Sequence, residues 1–185
     1  MNHKQELFFE FVKQQHADQK RKYTGEPYWT HVFTVAKIAS EYQNDLVEIS
    51  LGHDLLEDTV CTDSTLESRL LIIGYNSKTT NFIVNGIIDL TDVYTPDNYP
   101  NLNRRERKLK EAGRLGNIHP SSQTVKYADL IHNTSSIIKY DKVFAKTYLA
   151  EKIEILKLMR EGNKSLLKIC EDSIIQNHST LNNFV

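Results

Sequence analysis

The stretch SLGHDLLEDT, residues 50–59, places four ionisable side chains among apolar ones. In a helix, residues four apart lie on one face, so His53 stacks over Glu57. Asp54 stacks over Asp58 in the same way. The flanking leucines predict a largely buried helix, in which four uncompensated ionisable groups would cost many kcal/mol. A bound metal cation removes that cost, and a solvated amphipathic face is the alternative for any one of these residues taken alone.

A metal site here needs ligands from elsewhere in the chain. A divalent cation takes three or four protein ligands, and the adjacent His53 and Asp54 supply two. His31 follows EPYWT at the head of a predicted helix, from which it could project toward residues 45–58. Asp129 lies in VKYADLIHNT at a position that an apolar side chain normally takes in an amphipathic helix. A structural histidine and a hydrogen-bonded buried aspartate are the alternatives for these two residues.

Length and composition favour one all-α domain. The chain has 185 residues, the size of one common domain. It contains only 7 glycines and 4 prolines, which favours long helices over many short strands. We expect a single domain over 1–185, with a core over about 3–161 and a C-terminal helix and tail over 163–185.

Apolar residues recur at helical spacing and predict about eight to nine helices. The predicted helices cover residues 3–19, 30–42, 45–58, 65–73, 78–90, 103–115, 121–138, 142–161 and 163–176. The segment TDVYTPDNYPNLN, residues 91–103, contains two prolines and three asparagines and is predicted to be the longest loop. Loops of this kind often contact substrates.

Charge and cysteine content exclude several classes of protein. The 23 Lys and Arg residues against 24 Asp and Glu give a formal charge of −1, so no overall basic field favours nucleic acids or anionic membranes. Cys61 and Cys170 are too few for a disulfide framework or a thiolate metal site. We expect no signal peptide, because MNHKQELFFEFVKQQH has charges within its first five residues and no long apolar run. We expect a cytoplasmic protein without nucleic-acid or membrane partners, and the oligomeric state is left open.

The motifs together resemble a known family. An upstream histidine, a His-Asp pair and a late aspartate are typical of the HD superfamily of metal-dependent phosphohydrolases. The runs HADQKRKYTGEPYWTH (16–31), HDLLEDT (53–59) and KYADLIHN (126–133) are similar to the hydrolase domain of the RelA/SpoT family. Single-domain members of that family are the small alarmone hydrolases. The resemblance covers about residues 16–140 and implies an HD-domain helical bundle.

The resemblance also implies an activity and a cofactor. It implies hydrolysis of (p)ppGpp at the 3′ position to GDP or GTP and pyrophosphate, with one Mn²⁺ ion per chain. Glu57 and Asp58 match the family's Glu-Asp pair, which activates and orients the attacking water. Glu57 is the preferred base, because a carboxylate one helical turn from the metal can accept a proton from a metal-bound water. The implied metal ligands are His31, His53, Asp54 and Asp129.

Positive charge for the nucleotide substrate is also implied by matching positions. Arg21 matches the arginine that packs on guanine, and Lys22 matches the lysine that approaches phosphate. Asn133 matches an asparagine that contacts the nucleotide, and Lys126 is a weaker phosphate candidate. A basic segment after Thr91-Asp92 resembles one in the family and offers pyrophosphate contacts, with a solvated helix face as the alternative. That segment contains Arg104, Arg105, Arg107 and Lys108.

Two departures from the family pattern leave the substrate open. RKYTGEP has one more residue than the bacterial RKxGEP pattern, and Ser135 stands where an arginine is common. Both changes fall near the expected nucleotide pocket, and neither touches the metal ligands. The alternatives are therefore (p)ppApp, a 2′-phosphorylated dinucleotide, or a nucleoside monophosphate. A module that neutralises a toxin by hydrolysis or by contact is an alternative role.

Overall fold

The computed structural model describes residues 1–183, with side chains described for 1–181. Residues 184–185 of the predicted tail lie outside this part. Over the described residues the chain forms helices and no β-strand, which confirms the predicted all-α class. The chain divides into two compact units, one over residues 1–91 and one from residue 92 onward. The single domain over 1–185 stays a prediction.

The first unit is built around a short central helix, α3. This helix packs on α1, α2 and α6. Its side chains Ile49 and Leu51 are fully buried, as are Phe8 on α1 and Val35 on α2. The helices of this unit are α1 (His3–Gln15), α2 (Trp29–Ser40), a 3-10 turn (Asn44–Leu46), α3 (Val47–Gly52), α4 (Leu55–Asp58), α5 (Asp63–Ile73) and α6 (Ser77–Leu90).

The helix predicted over 45–58 is interrupted at the His-Asp pair. The Nδ1 atom of His53 lies 2.8 Å from the carbonyl oxygen of Ser50. A continuous helix would pair that oxygen with the amide of Asp54, so the imidazole competes with the helical hydrogen bond. The predicted helix is therefore divided into α3 and α4 at this point, and a 3-10 turn precedes α3. Counted as one segment, they bring the described chain to nine helical segments, within the predicted eight to nine.

Gly52 allows α3 to lie close to α6 just before this interruption. A Cβ atom at Gly52 would stand 2.5 Å from Cδ1 of Ile87, which is fully buried on α6. Any side chain at this position would push the two helices apart. The close approach fixes the position from which the chain turns at His53.

The second unit contains four long helices. The helix α10 packs on α8 and α9, and α7 packs on α9. Residues 91–103 form the predicted loop, and the segment 16–28 of the first unit is equally long. The loop is anchored where the amides of Val93 and Tyr94 donate to the Glu111 carboxylate at 3.2 and 3.1 Å. The helices are α7 (Arg104–Leu115), α8 (Pro120–Tyr140), α9 (Lys142–Leu158) and α10 (Lys164–Asn183).

The predicted helices lie close to the observed ones, with the largest shift at the C-terminus. The predicted end at residue 176 is too early, because α10 continues to Asn183. No helix within the described part of the chain combines the length and apolar character needed to cross a membrane.

Candidate metal and catalytic site

Three of the four predicted metal ligands come together in the first unit. His31 lies on the first turn of α2, and His53 and Asp54 form the turn between α3 and α4. Their candidate ligand atoms all lie within 4.8 Å of one another. The Nε2 atoms of His31 and His53 lie 3.5 and 3.1 Å from Oδ2 of Asp54. Both imidazoles are buried, at 0% and 1% exposure, so the cluster is held by packing.

The hydrogen bonding of His53 fits a cation ligand. A backbone carbonyl only accepts hydrogen bonds, so the contact with Ser50 places the proton on Nδ1 in the neutral ring. The Nε2 atom then presents a lone pair toward Oδ2 of Asp54, which is also an acceptor. A cation satisfies two acceptors that face each other, and a metal-bound histidine commonly donates its other N–H to a carbonyl. Two imidazoles and a carboxylate suit a divalent first-row metal.

The Asp54 carboxylate is held in its ionised form. Burial alone raises its pKa, but when the imidazoles are protonated in the metal-free site, the His53 charge and hydrogen bonds from both histidines hold that pKa well below its usual range. A cation bound between neutral imidazoles and the carboxylate acts on the Asp54 pKa in the same direction. The hydroxyl of Tyr28 also donates to Oδ2 at 2.7 Å. The Tyr28 ring packs edge-on against His31, with ring centroids 5.5 Å apart. Tyr28 therefore positions both a carboxylate and an imidazole of the cluster.

The predicted RK pair lies on a tight hairpin beside this cluster. The amide of Arg21 donates to the Glu26 carbonyl at 2.8 Å, and the Tyr28 amide donates to the Gln19 carbonyl at 2.9 Å. Gly25 closes the turn with a φ of 72°, a conformation that favours glycine. The Arg21 guanidinium lies 5.9 Å from the centroid of the Tyr28 ring. Tyr28 thus connects the hairpin to Asp54.

The predicted catalytic pair lies on α4, directly after the metal cluster. Glu57 and Asp58 are exposed, so solvent reaches both carboxylates. The backbone amide of Asp58 donates to the Asp54 carbonyl at 2.9 Å, so the predicted spacing of four residues is kept despite the interrupted helix. The Asp58 carboxylate accepts a hydrogen bond of 2.8 Å from the Gln19 side chain.

Three other predicted residues come together on α8, in the second unit. Asp129 is 5% exposed. Its carboxylate lies 3.0 Å from Nζ of Lys126 and accepts a 2.6 Å hydrogen bond from the Asn133 amide. The spacing of three and four residues along a helix brings these side chains onto one face, as predicted. The role of Asp129 as a fourth ligand stays a prediction.

Two further lysines, Lys152 and Lys108, add positive charge near Lys126 and Asp129. Burial and the like charges of Lys126 and Lys108 lower the pKa of Lys152 to about 8. Lys108 pairs with Asp92 at 2.9 Å. The charges of Asp92 and Asp129 favour the protonated form of Lys152 but do not outweigh its burial. Three lysines around two carboxylates leave a local excess of positive charge.

The predicted substrate residue Arg104 is engaged in an ion pair. Its guanidinium makes two hydrogen bonds to Glu151, at 2.7 and 3.0 Å, and lies over the Phe144 ring. A cavity of about 790 Å³ in the second unit is lined in part by Arg104, Arg105 and Lys108. A phosphate at Arg104 would therefore compete with the Glu151 carboxylate.

Sequence reasoning assigned no role to four side chains that shape these sites. His16, Gln19 and Tyr28 all stand in the quoted run 16–31, so a signal for them existed. Lys152 gives no such signal, because a lysine on an amphipathic helix resembles any solvated charge.

Comparisons with known proteins agree with this picture. No family model matches the chain. A guanosine-3′,5′-bis(diphosphate) 3′-pyrophosphohydrolase of Aquifex aeolicus (strain VF5) is 41% identical over 63 residues, 33% of this chain. The matched segment is 9% of that relative, so the chain spans far less than the relative's full length.

A solved structure matches almost the whole chain. It is described as a metazoan ortholog of SpoT that hydrolyzes ppGpp and plays a role in starvation responses. The TM-score is 0.77, with 19% identity, covering 95% of this chain and 96% of that one. The two proteins share a fold. The helical bundle expected from the sequence resemblance is thereby confirmed.

Proposed function

We propose that this chain is a Mn²⁺-dependent 3′-pyrophosphohydrolase of guanosine 3′-pyrophosphate nucleotides. The observation that carries the proposal is the buried cluster of His31, His53 and Asp54, followed at once by two exposed carboxylates. The substrate class is supported by the activities of the Aquifex relative and of the SpoT ortholog. The reaction adds water across the bond between O3′ and phosphorus. Pyrophosphate leaves, and the 3′ hydroxyl is formed.

The metal would be held by Nε2 of His31, Nε2 of His53 and Oδ2 of Asp54. A bound Mn²⁺ ion lowers the pKa of a coordinated water and neutralises phosphate charge. Manganese is the ion implied by the family resemblance, and it accepts this mixture of imidazole and carboxylate ligands. Asp129 is the fourth ligand implied by the same resemblance.

The chain's own carboxylates would handle the proton. Glu57 accepts the proton of the attacking water as general base, and Asp58 orients that water. Their exposure on α4 leaves room for a substrate phosphate. The Gln19 hydrogen bond limits the rotation of Asp58, which suits an orienting role better than the role of a mobile base.

Nucleotide recognition would use the hairpin and the α8 group. Arg21 stacks on guanine from a position already fixed beside Tyr28. Lys22, Lys126 and Asn133 bind phosphate or ribose oxygens, and Arg104 contributes when it leaves Glu151. The excess charge around Lys152 attracts the anionic substrate to this region. The cytoplasmic location expected from the sequence stays a prediction.

The test is the product profile of the purified protein with Mn²⁺. The substrates are ppGpp, pppGpp, ppApp, a 2′-phosphorylated dinucleotide and a set of nucleoside monophosphates, and products are resolved by anion-exchange chromatography. We expect pyrophosphate and GDP from ppGpp, no reaction after chelation of the metal, and at least a 100-fold loss of kcat in Glu57→Ala. Arg21→Ala is expected to raise KM more than it lowers kcat.

Two exposed residues away from the site serve as matched controls. Glu67→Ala on α5 removes a glutamate, and Lys37→Ala on α2 removes a cation, and both variants should match the parent protein. Release of orthophosphate from another substrate would agree with the proposed metal site but would contradict the proposed substrate. If the metal-loaded parent protein is as inactive as Glu57→Ala, the enzyme assignment is overturned. A module that acts by contact is then favoured.

A further inference from the structure

Gln19 lies between a buried histidine and the exposed carboxylate of Asp58. Its Nε2 donates to Oδ2 of Asp58 at 2.8 Å, and its Oε1 lies 2.6 Å from Nδ1 of His16. Both ends of the amide are therefore engaged. His16 and Gln19, three residues apart, and Asp58, which follows Gln19 by 39 residues, form one hydrogen-bonded chain that runs from the end of α1 to α4.

The direction of this chain is fixed by its acceptor end. An ionised carboxylate only accepts hydrogen bonds, so the NH₂ group of Gln19 must face Asp58. The amide oxygen then faces His16, and Nδ1 of His16 must carry a proton to donate to it. Burial lowers the pKa of His16, which favours the neutral ring. The contact with the Gln19 oxygen then places its single proton on Nδ1. A flipped amide would bring its oxygen against the carboxylate.

His16 is itself held rigidly. The residue is 1% exposed. Its ring stacks on Tyr28 with centroids 5.0 Å apart, and Tyr28 donates to Asp54. The same tyrosine therefore supports the metal cluster on one side and the His16 ring on the other. Because the His16 ring is held in place, the Gln19 amide can restrict the Asp58 side chain, which would otherwise rotate freely in solvent.

We propose that His16 and Gln19 are positioning residues that hold Asp58 in the orientation needed to direct the attacking water. The inference rests on the proposed function for the role of Asp58. In this role both side chains act through Asp58 and not by contact with the metal or the substrate. The run HADQ, residues 16–19, thereby acquires a role separate from that of the neighbouring RK pair.

Three substitutions separate the hydrogen bonds from packing. Gln19→Leu removes both bonds at similar volume, and His16→Phe keeps the ring on Tyr28 but removes the donor. His16→Asn replaces the Nδ1 donor with an amide donor and serves as the rescue. We expect about a tenfold loss of kcat in the first two variants, with little change in KM or Mn²⁺ affinity. The rescue variant should recover most of that loss.

A double-mutant cycle tests whether the effect passes through Asp58. If Gln19 acts on Asp58, the kcat of Gln19→Leu with Asp58→Asn equals that of Asp58→Asn alone. Gln14→Leu, an exposed glutamine on α1, is the matched control and should behave like the parent protein. Additive losses in the cycle, or a Gln19→Leu variant as active as the control, would overturn the inference.

A readout without turnover separates this inference from the proposed function. Long-range ¹⁵N correlation spectra of the metal-free protein report which nitrogen of His16 carries the proton. We expect the Nδ1-protonated form in the parent protein and loss of that preference in Gln19→Leu. An Nε2-protonated His16 would overturn the inference even if the protein is an active hydrolase. An inactive parent protein with the expected tautomer would instead count against the proposed function.

Discussion

Asp54 is the residue on which the first unit's polar contacts converge. One oxygen, Oδ2, receives the Tyr28 hydroxyl at 2.7 Å and faces two imidazole nitrogens. A carboxylate with so many partners in a mostly buried position cannot rotate, so it presents a fixed geometry to a cation. The tyrosine also has a second role, since its ring supports His16.

Removing the Tyr28 hydroxyl should therefore weaken metal binding without unfolding the site. Tyr28→Phe keeps the ring that packs on His16 and His31 but loses the donor to Asp54. Loss of such an outer hydrogen bond typically lowers metal affinity by about 10 to 100-fold. Isothermal titration with Mn²⁺ measures the effect. Tyr99→Phe, in the loop of the second unit, is the control, and equal affinities for the two variants would contradict the role given to Tyr28.

At the scale of elements, the hairpin over residues 20–27 depends on one backbone conformation. Gly25 has a φ of 72°, and a Cβ atom there would meet no other atom within 4 Å. Gly25→Ala should therefore lower the free energy of unfolding by about 1 kcal/mol through backbone strain alone. It should also raise the substrate KM, because Arg21 lies on this hairpin.

Replacing a glycine inside a helix by alanine should change the free energy of unfolding in the opposite direction. Gly113 lies inside α7, and a Cβ atom there also meets nothing within 4 Å. Gly113→Ala should raise the free energy of unfolding by up to about 1 kcal/mol, since alanine is the better helix former. Urea denaturation of both variants measures the two values. A Gly25→Ala variant as stable as the parent protein, or more stable, would show that the strain assigned to Gly25 is wrong.

On α9, Lys152 should make stability depend on pH in the alkaline range. Its pKa falls from 10.5 to about 8 in the folded protein, mainly because of burial. Between these values Lys152 binds more protons in the unfolded chain than in the folded one, so it makes the free energy of unfolding rise with pH. Above about pH 9 the buried thiols of Cys61 and Cys170, whose pKa values are raised, oppose this rise. Urea denaturation from pH 7 to 10.5 checks this rise. It should flatten in Lys152→Met and persist in Lys157→Met, an exposed lysine on the same helix.

The helices were predictable, whereas the local break in one of them was not. Apolar spacing placed α6 and α7 within one residue of their observed bounds, because burial of one helix face leaves a regular pattern. The turn at His53 and Asp54 depends on an imidazole competing for the Ser50 carbonyl, which periodicity does not encode. Helical spacing also predicted that one face of α8 carries Lys126, Asp129 and Asn133. The Gln19 contact with Asp58 spans 39 residues and required the fold.

At the scale of the whole molecule, a metal site made by folding must stabilise the folded chain. The rest of α2, the 3-10 turn and α3 lie between His31 and the His53-Asp54 pair, so the unfolded chain has no such site. A ligand that binds only the folded state at 100 times its Kd adds about 2.7 kcal/mol. A chain of this length gains about 2–4 °C in Tm per kcal/mol. We therefore expect Mn²⁺ to raise Tm by about 5–10 °C.

Differential scanning calorimetry with and without Mn²⁺ tests this shift and two open predictions together. His53→Ala should lose the shift, because it removes one of the ligands of the cluster. Asp129→Asn should reduce the shift if Asp129 is the fourth ligand, and an unchanged shift would remove it from the ligand set. The predicted single domain requires one transition with equal calorimetric and van't Hoff enthalpies. Two resolved transitions, of which Mn²⁺ moves only one, would show that the two compact units unfold as separate domains.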